Sequence, residues 1–165
     1  MYMQVSPASS ALPCLCANVR RAARVLTQIY DDALRPLGLR STQFSILQAL
    51  SMAGPLLQGK LADILALDST ALTRAVQLLQ KRGWIKAAKG KDRRERWLSL
   101  SQRGQVELAK AVPAWQKVQE ELRETLGQEN WNKLFAVSTD VVSLSRSIAS
   151  MSVSKSAVAT SKEVV

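Results

Sequence analysis

The feature that most constrains this chain is a dense run of positive charge from Lys81 to Arg96, reading KRGWIKAAKGKDRRER. These sixteen residues hold eight Lys or Arg and two acids, a net charge of +6. Gly83 and Gly90 interrupt the run, so it cannot form the single amphipathic helix of a membrane-surface anchor. Two basic segments joined by a turn predict a hairpin that attracts nucleic-acid phosphates, because each neutralised phosphate releases counterions. The run therefore predicts a protein that binds double-stranded DNA.

The composition of the whole chain indicates a mainly helical globular protein. The chain has 165 residues, of which 47% are hydrophobic and 5% aromatic, and it is rich in Leu, Ala, Gln and Arg, which favour helices. Its net charge is +10, yet residues 97–150 carry six bases and six acids. The positive charge is therefore local, and we expect an α+β fold with few, short strands.

Apolar spacing of three and four residues predicts four helices before the basic run. The first is long, covers residues 13–35 and ends at Pro36 and Gly38. The second starts at Ser41 or Thr42 and ends at Gly54, the third covers residues 57–65, and the fourth opens at Asp68 or Ser69 and ends at Gly83. The last two, joined by a tight turn, predict a helix-turn-helix.

The fourth helix has one apolar side, with Leu72, Val76 and Leu79, and one polar side. The polar side carries residues that can bond base edges and phosphates: Thr70, Thr73, Arg74, Gln77 and Lys81. Such a face on a lone helix is usually only solvated. Here it precedes a predicted strand over 84–88, a turn over 89–94 and a return strand over 95–100, which together form a wing. The alternative is a solvated hairpin whose charges prevent edge aggregation.

Two further helices are predicted after the wing. One starts at Ser101, bends at Pro113 and ends at Gly127, and the other covers residues 129–148. Residues 1–12 and 149–165 are expected to be flexible segments. The terminal helices carry more apolar surface than a small core can cover, which favours a two-fold dimer.

Two blocks of sequence resemble the MarR family of winged helix-turn-helix regulators, over nearly all of residues 14–148. KDRRERWLSLSQRG resembles the family's wing signature, with Ser101 where Thr is usual, and LADILALDSTALTRAVQLLQKRGWI resembles its pair of helices. The resemblance implies a winged helix-turn-helix over about 41–100, with dimerisation helices over about 13–35 and 101–148. It also implies a homodimer whose fourth helices enter major grooves and whose wing tips reach minor grooves. The expected function is a transcriptional regulator, in particular a repressor of an inverted-repeat operator.

Roles for individual residues follow from the chemistry of base edges and phosphates. Arg reads guanine and Gln reads adenine in the major groove, and guanidinium groups favour narrow minor grooves. We expect base readout by Thr70, Thr73, Arg74 and Gln77, minor-groove contact by Arg93 and Arg94, and phosphate contact by Ser69, Lys89 and Lys91. Asp92 is expected to orient Arg94 by a salt bridge.

The sequence is compatible with two kinds of regulation. Relatives respond to small aromatic or phenolic ligands, and the resemblance implies a pocket lined by Tyr30, Phe44, Met52 and Trp97. Alternatively, residues 16–30 resemble the first helix of OhrR, the peroxide-sensing branch, with Cys16 at the position of its reactive cysteine. A disulfide between Cys14 and Cys16 is not expected, because residues two apart in a helix point about 200° from one another.

Other classes of function are disfavoured by the residue types present. The chain has no His and no glycine-rich phosphate loop, and Asp31 and Asp32 are adjacent and therefore face different sides of a helix. We therefore expect no enzyme, no cofactor and no metal site. No basic segment precedes the apolar N-terminal residues and two cysteines give no disulfide framework, so a cytoplasmic location is expected. A winged-helix module that binds only proteins remains an alternative.

Overall fold

The computed structural model describes residues 13–92 and 95–160, with side chains through residue 144. The elements are α1 (Leu15–Leu34), a 3₁₀ turn (Arg35–Leu37), α2 (Ser41–Ala53), β1 (Leu56–Leu57), α3 (Gln58–Leu65), α4 (Ser69–Lys81), β2 (Ile85–Lys89), β3 (Arg96–Leu100), α5 (Gln102–Leu126) and α6 (Gln128–Thr160). The predicted segment 1–12 lies outside the described residues, as do Arg93, Arg94 and residues 161–165. The mainly helical winged fold is confirmed.

Helix ends coincide with the residues that the sequence marked as breakers. Pro36 lies in the 3₁₀ turn that follows α1, and Gly38 has a φ of 69°. Gly54 closes α2 with a φ of 75°, a conformation that costs glycine little because it has no Cβ. The predicted helix bounds are therefore correct to within a few residues up to the start of the wing.

The three strands form one antiparallel sheet in the order β1-β3-β2. β2 and β3 form the predicted hairpin, with Ile85 opposite Leu100 and Lys89 opposite Arg96. β1, in which Leu56 pairs with Leu98 of β3, was not predicted from the sequence. Two residues are too few to show alternation, so this strand exists only through its partner.

The core lies between α2, α3, α4, α5 and the sheet. Leu72, Val76 and Leu79 on α4 are completely buried, as predicted. On α2, Phe44 is 2% exposed, and its ring stacks on that of Trp115 with centroids 5.7 Å apart. This packing presents the opposite, polar side of α4 to solvent.

The terminal helices carry more apolar surface than a single chain covers, as the sequence predicted. On α1, Leu15 is 76% and Val19 48% exposed, and on α6, Leu134 is 40% and Phe135 55% exposed. The predicted end of the last helix was wrong, because α6 continues to Thr160, beyond residue 148.

The chain divides into two compact units, residues up to Val118 and residues from Gln119, with the boundary inside α5. In the second unit Trp131 is buried, its ring packs against that of Phe135 at 4.9 Å, and the guanidinium of Arg123 lies over it. Along the described helices, no segment combines the length and apolar character needed to cross a membrane.

Candidate nucleic-acid interface

The turn between α3 and α4 is held by local hydrogen bonds. Ala66 closes α3 in the left-handed conformation, with φ 49° and ψ 40°, and the Leu67 amide donates to the Ala62 carbonyl at 3.0 Å. Asp68 then caps α4, because its carboxylate accepts the Ala71 N–H at 2.8 Å. These contacts fix the direction in which α4 leaves the turn.

The exposed side of α4 carries three of the four residues predicted to read bases. Thr70, Arg74 and Gln77 are exposed. Neither Arg74 nor Gln77 is bonded to another described side chain, so their donors and acceptors remain available to a ligand. Lys81 extends the same side by one turn.

Thr73 is placed differently from its neighbours. Its hydroxyl donates to the Ser69 carbonyl at 2.7 Å and accepts from the Gln58 side-chain amide at 2.9 Å. Both bonds stay within the protein, and the second joins the start of α3 to α4. Gln58 was not singled out from the sequence, because no periodicity or capping rule marks a residue whose partner lies fifteen positions away.

The described part of the wing is basic and exposed. Lys86, Lys89 and Lys91 project into solvent. The hairpin closes with the Gly90 amide donating to the Glu95 carbonyl at 3.0 Å and the Glu95 amide donating to the Asp92 carbonyl at 3.0 Å. Because Arg93 and Arg94 lie outside the described residues, their minor-groove role and the Asp92–Arg94 salt bridge remain predictions.

Two arginines of the basic run are used inside the protein. Arg96 donates to the Gln80 side chain at 2.7 Å, which ties β3 to α4. Arg82 donates to the Gly38 carbonyl at 2.5 Å, and its guanidinium lies 4.9 Å from the centre of the Trp84 ring. The charge count of the run therefore overstates the number of cations that are free to meet phosphates.

A groove of about 470 Å³ lies between the start of α3, the start of α4 and β3. Ser69, predicted to contact phosphate, lines it together with Lys60 and Arg96. Lys60 is exposed on the first turn of α3, and it was not selected from the sequence because no motif or spacing marks it. The groove thus brings Ser69 close to two cations that had not been assigned to the interface.

The base of the wing is packed against α5. The Ser101 hydroxyl donates to the Gly83 carbonyl at 2.6 Å and accepts from the Gly104 amide at 2.9 Å. A Cβ on Gly104 would lie 2.1 Å from the Trp84 carbonyl oxygen. Only glycine permits this approach, so the start of α5 holds the wing at a fixed distance from the end of α4.

Comparisons with known proteins agree with this geometry. A profile of the MarR family matches residues 37–95. The structure is similar to that of the Mycobacterium tuberculosis transcriptional regulator MosR in complex with DNA, at 34% identity and a TM-score of 0.73, over 82% of this chain and 98% of MosR. The chain belongs to the MarR family.

Two further relatives extend the comparison. YwoH of Bacillus subtilis, described as an uncharacterised HTH-type transcriptional regulator, is 28% identical over 108 residues, 66% of this chain and 79% of YwoH. NadR in complex with 4-hydroxyphenylacetate shares the fold at 20% identity and a TM-score of 0.66, over 83% of this chain and 98% of NadR. This MarR-family protein is therefore a DNA-binding transcriptional regulator and not an enzyme.

The cysteines of this MarR-family chain lie at the start of α1, and both are exposed. Cys14 precedes the helix in an extended conformation, with φ −102° and ψ 117°, whereas Cys16 is inside it. The predicted angle of about 200° between the two side chains assumed that both were helical. That argument against a disulfide does not apply, because only one of the two residues is in the helix.

The four residues predicted to line a ligand pocket occupy different environments. Phe44 is in the core, Met52 is 83% exposed on α2, and Trp97 is 38% exposed on β3. Tyr30 is half-buried, and burial raises the pKa of its hydroxyl. None of them lines the groove beside β3, so their assignment to a ligand site stays a prediction.

Proposed function

We propose that this protein is a homodimeric repressor of an inverted-repeat operator, with α4 reading bases in the major groove. The observation that carries the proposal is the exposed side of α4, where Arg74 and Gln77 lie on a helix whose opposite side is completely buried. Both residues can make bidentate contacts with base edges, Arg with guanine and Gln with adenine. A two-fold dimer would present two such helices, with half-sites about one helical turn apart.

Phosphate contacts would come from Ser69, Lys89 and Lys91, with Lys60 added by its position in the groove. Thr70 remains a candidate for base readout. Thr73 contributes by holding α3 against α4, since its hydroxyl is already bonded to Ser69 and Gln58. Arg93 and Arg94 keep their proposed role in the minor groove.

The dimer is supported by apolar side chains that a single chain leaves exposed. On α1 these include Leu15, Val19 and Val25, and on α6 they include Leu134, Phe135 and Val141. Several large apolar side chains exposed along one helix favour an interaction site on that helix. Association of two copies would bury it.

A gel-shift titration at several salt concentrations tests the proposal. The full-length protein should prefer a duplex with an inverted repeat over a scrambled duplex of equal length. Arg74→Ala should lose preference at one base position, whereas Lys110→Ala, a change of an exposed α5 lysine paired with Glu107, should bind as wild type does. Equal and weak binding to every duplex would instead favour a module that binds only proteins.

Release by a small aromatic or phenolic ligand is the first proposed mode of regulation. Its support is the fold shared with NadR, whose structure contains 4-hydroxyphenylacetate. Adding that compound to the protein–operator complex should lower the fraction of duplex bound. The same addition to a Tyr30→Ala, Trp97→Ala variant tests whether the predicted pocket is responsible.

Thiol-based release through Cys16 is a second candidate, favoured by the exposure of both thiols at the start of α1. Peroxide should then release the operator from the wild type but not from Cys16→Ser. Cys14→Ser separates the two possible products: it blocks release if a Cys14–Cys16 disulfide forms, and it leaves release intact if a sulfenic acid on Cys16 is sufficient.

A further inference from the structure

A second cavity, of about 290 Å³, lies where the end of α1, the 3₁₀ turn, the start of α2 and the end of α4 meet. Three arginines from different segments line it: Arg35 in the 3₁₀ turn, Arg40 at the cap of α2 and Arg82 at the cap of α4. None of these residues belongs to the DNA-reading side proposed for α4. The cavity therefore requires its own explanation.

The charge of the cavity lining is positive and only partly balanced. Asp31 is the one acidic residue of the lining, and Asp32, just outside it, pairs with Arg35, so the three arginines and their two carboxylate partners carry a net charge of +1. The Asp31 carboxylate is already bonded, since it accepts the Ser41 amide at 2.7 Å and the Arg40 guanidinium at 3.0 Å. Burial alone would raise the pKa of Asp31, but these bonds and the Arg40 charge outweigh it and hold the pKa below its usual value. Asp31 therefore stays ionised and offsets only one of the three arginine charges.

The three guanidinium groups have donors to spare. Each has five N–H donors. Among the described residues, Arg35 pairs with Asp32, Arg40 pairs with Asp31, and Arg82 donates to the Gly38 carbonyl. Leu39 and Leu78 add apolar walls beside them. The cavity thus combines unused cationic donors with a small apolar surface.

We propose that this cavity binds a phosphate dianion, either free or as the monoester of a small molecule. The three terminal oxygens of a phosphate group offer one acceptor to each of the three guanidinium groups, whereas a carboxylate has only two oxygens. Arginine forks match phosphate oxygens in bidentate geometry, and charge-assisted bonds of this kind are stronger than neutral ones. Bound there, the anion would join the end of α1, the cap of α2 and the cap of α4.

Thermal unfolding of the full-length, DNA-free protein tests the site at constant ionic strength set with sodium chloride. Inorganic phosphate and phenyl phosphate should each raise Tm in a saturable way. Tighter binding of phenyl phosphate than of inorganic phosphate would indicate that the apolar walls contact the ligand. Arg35→Gln, at an exposed side chain, should weaken the apparent affinity about tenfold, the loss of one charge-assisted contact. Arg40→Gln should weaken the apparent affinity by a similar factor.

Matched controls test whether phosphate binds in this cavity or to exposed cations elsewhere on the surface. Arg103→Gln removes an exposed cation of α5 outside the cavity and should leave the phosphate response as in wild type. Benzoate, with one charge, should bind more weakly than phenyl phosphate. Equal responses of Arg103→Gln and Arg35→Gln, or of benzoate and phenyl phosphate, would overturn the proposal.

A duplex phosphate is the other possible source of the same chemistry. In phosphate-free buffer, Arg35→Gln should bind the operator within about twofold of wild type. A tenfold loss with a flatter salt dependence would instead place a DNA phosphate in the cavity and overturn the proposal of a free anion. If the wild type showed no preference for the inverted repeat, only the proposed function would be contradicted. The phosphate site would stand, because the Tm titration contains no DNA.

Discussion

Helices α4 and α6 both carry apolar residues at helical spacing, but those residues are buried in α4 and exposed in α6. On α4 the apolar residues Leu72, Val76 and Leu79 are completely buried, and the polar side remains open. On α6 Leu134 is 40%, Phe135 55% and Val141 46% exposed. Apolar residues at helical spacing therefore lie in the core in one helix and remain exposed in the other. Only the packing of the rest of the chain distinguishes them.

The sharpest test of this difference is to remove one leucine from each helix. Leu72→Ala should lower the free energy of unfolding by about 2–5 kcal/mol, because it deletes completely buried methyl groups and leaves a cavity. Leu134→Ala should cost little at low protein concentration, where any dimer has dissociated. Chemical denaturation at two protein concentrations measures both. Equal costs at the lower concentration would contradict the distinction.

A charge placed on the exposed side of α6 should break the proposed dimer. Phe135→Glu would place a carboxylate in an apolar interface, and loss of a central aromatic contact costs about 2 kcal/mol or more. Sedimentation velocity should show a shift from dimer to monomer. Lys133→Gln, at a neighbouring exposed cation, should leave the dimer intact. A monomeric wild type would remove the basis for an inverted-repeat operator.

The polar side of α4 should carry specificity without carrying stability. Arg74→Ala should leave Tm unchanged and should reduce discrimination at one base pair by about 1–3 kcal/mol. Lys89→Ala on the wing should weaken binding to all duplexes alike and reduce the salt slope by about one. Competition gel shifts over single-base variants of the operator separate the two effects. Identical profiles for the two variants would show that α4 does not read bases.

The smallest effect is expected at the junction of α1 and α2. Asp31→Asn removes the charge of a carboxylate that accepts two hydrogen bonds. The substitution should lower the free energy of unfolding by about 1–2 kcal/mol at neutral pH. Because the pKa of Asp31 is lowered by folding, its stabilising effect is complete above the ordinary Asp value and is lost as pH falls through the lowered pKa. Wild type and variant should therefore converge in stability towards acid pH. A constant difference down to acid pH would assign the effect to packing instead of charge.

Much of the fold could be predicted from the sequence because its signals are local. Pro36, Gly38, Gly54 and Asp68 mark helix ends at the positions where the structure has them, and the basic hairpin was predicted from charge and turn residues. What could not be predicted depends on distant partners. β1 exists through β3, and the bond from Gln58 to Thr73 joins residues fifteen positions apart.

The candidate interface shows the same division. Arg74 and Gln77 were predicted from their spacing on a helix, and the structure places both on its open side. Arg82 and Arg96, by contrast, belong to the same basic run but donate to Gly38 and Gln80 inside the protein. A count of charges along the chain cannot distinguish a cation that meets solvent from one that holds two elements together.

The bond from Gln58 to Thr73 has a consequence for how relatives with new operators could arise. Because that bond fastens α3 to α4, substituting Thr73 would disturb the scaffold, whereas Arg74 and Gln77 have no bond to another described side chain to lose. Divergence to a different binding site is therefore expected to proceed through those two positions first. Thr73 would follow only together with a compensating change at Gln58.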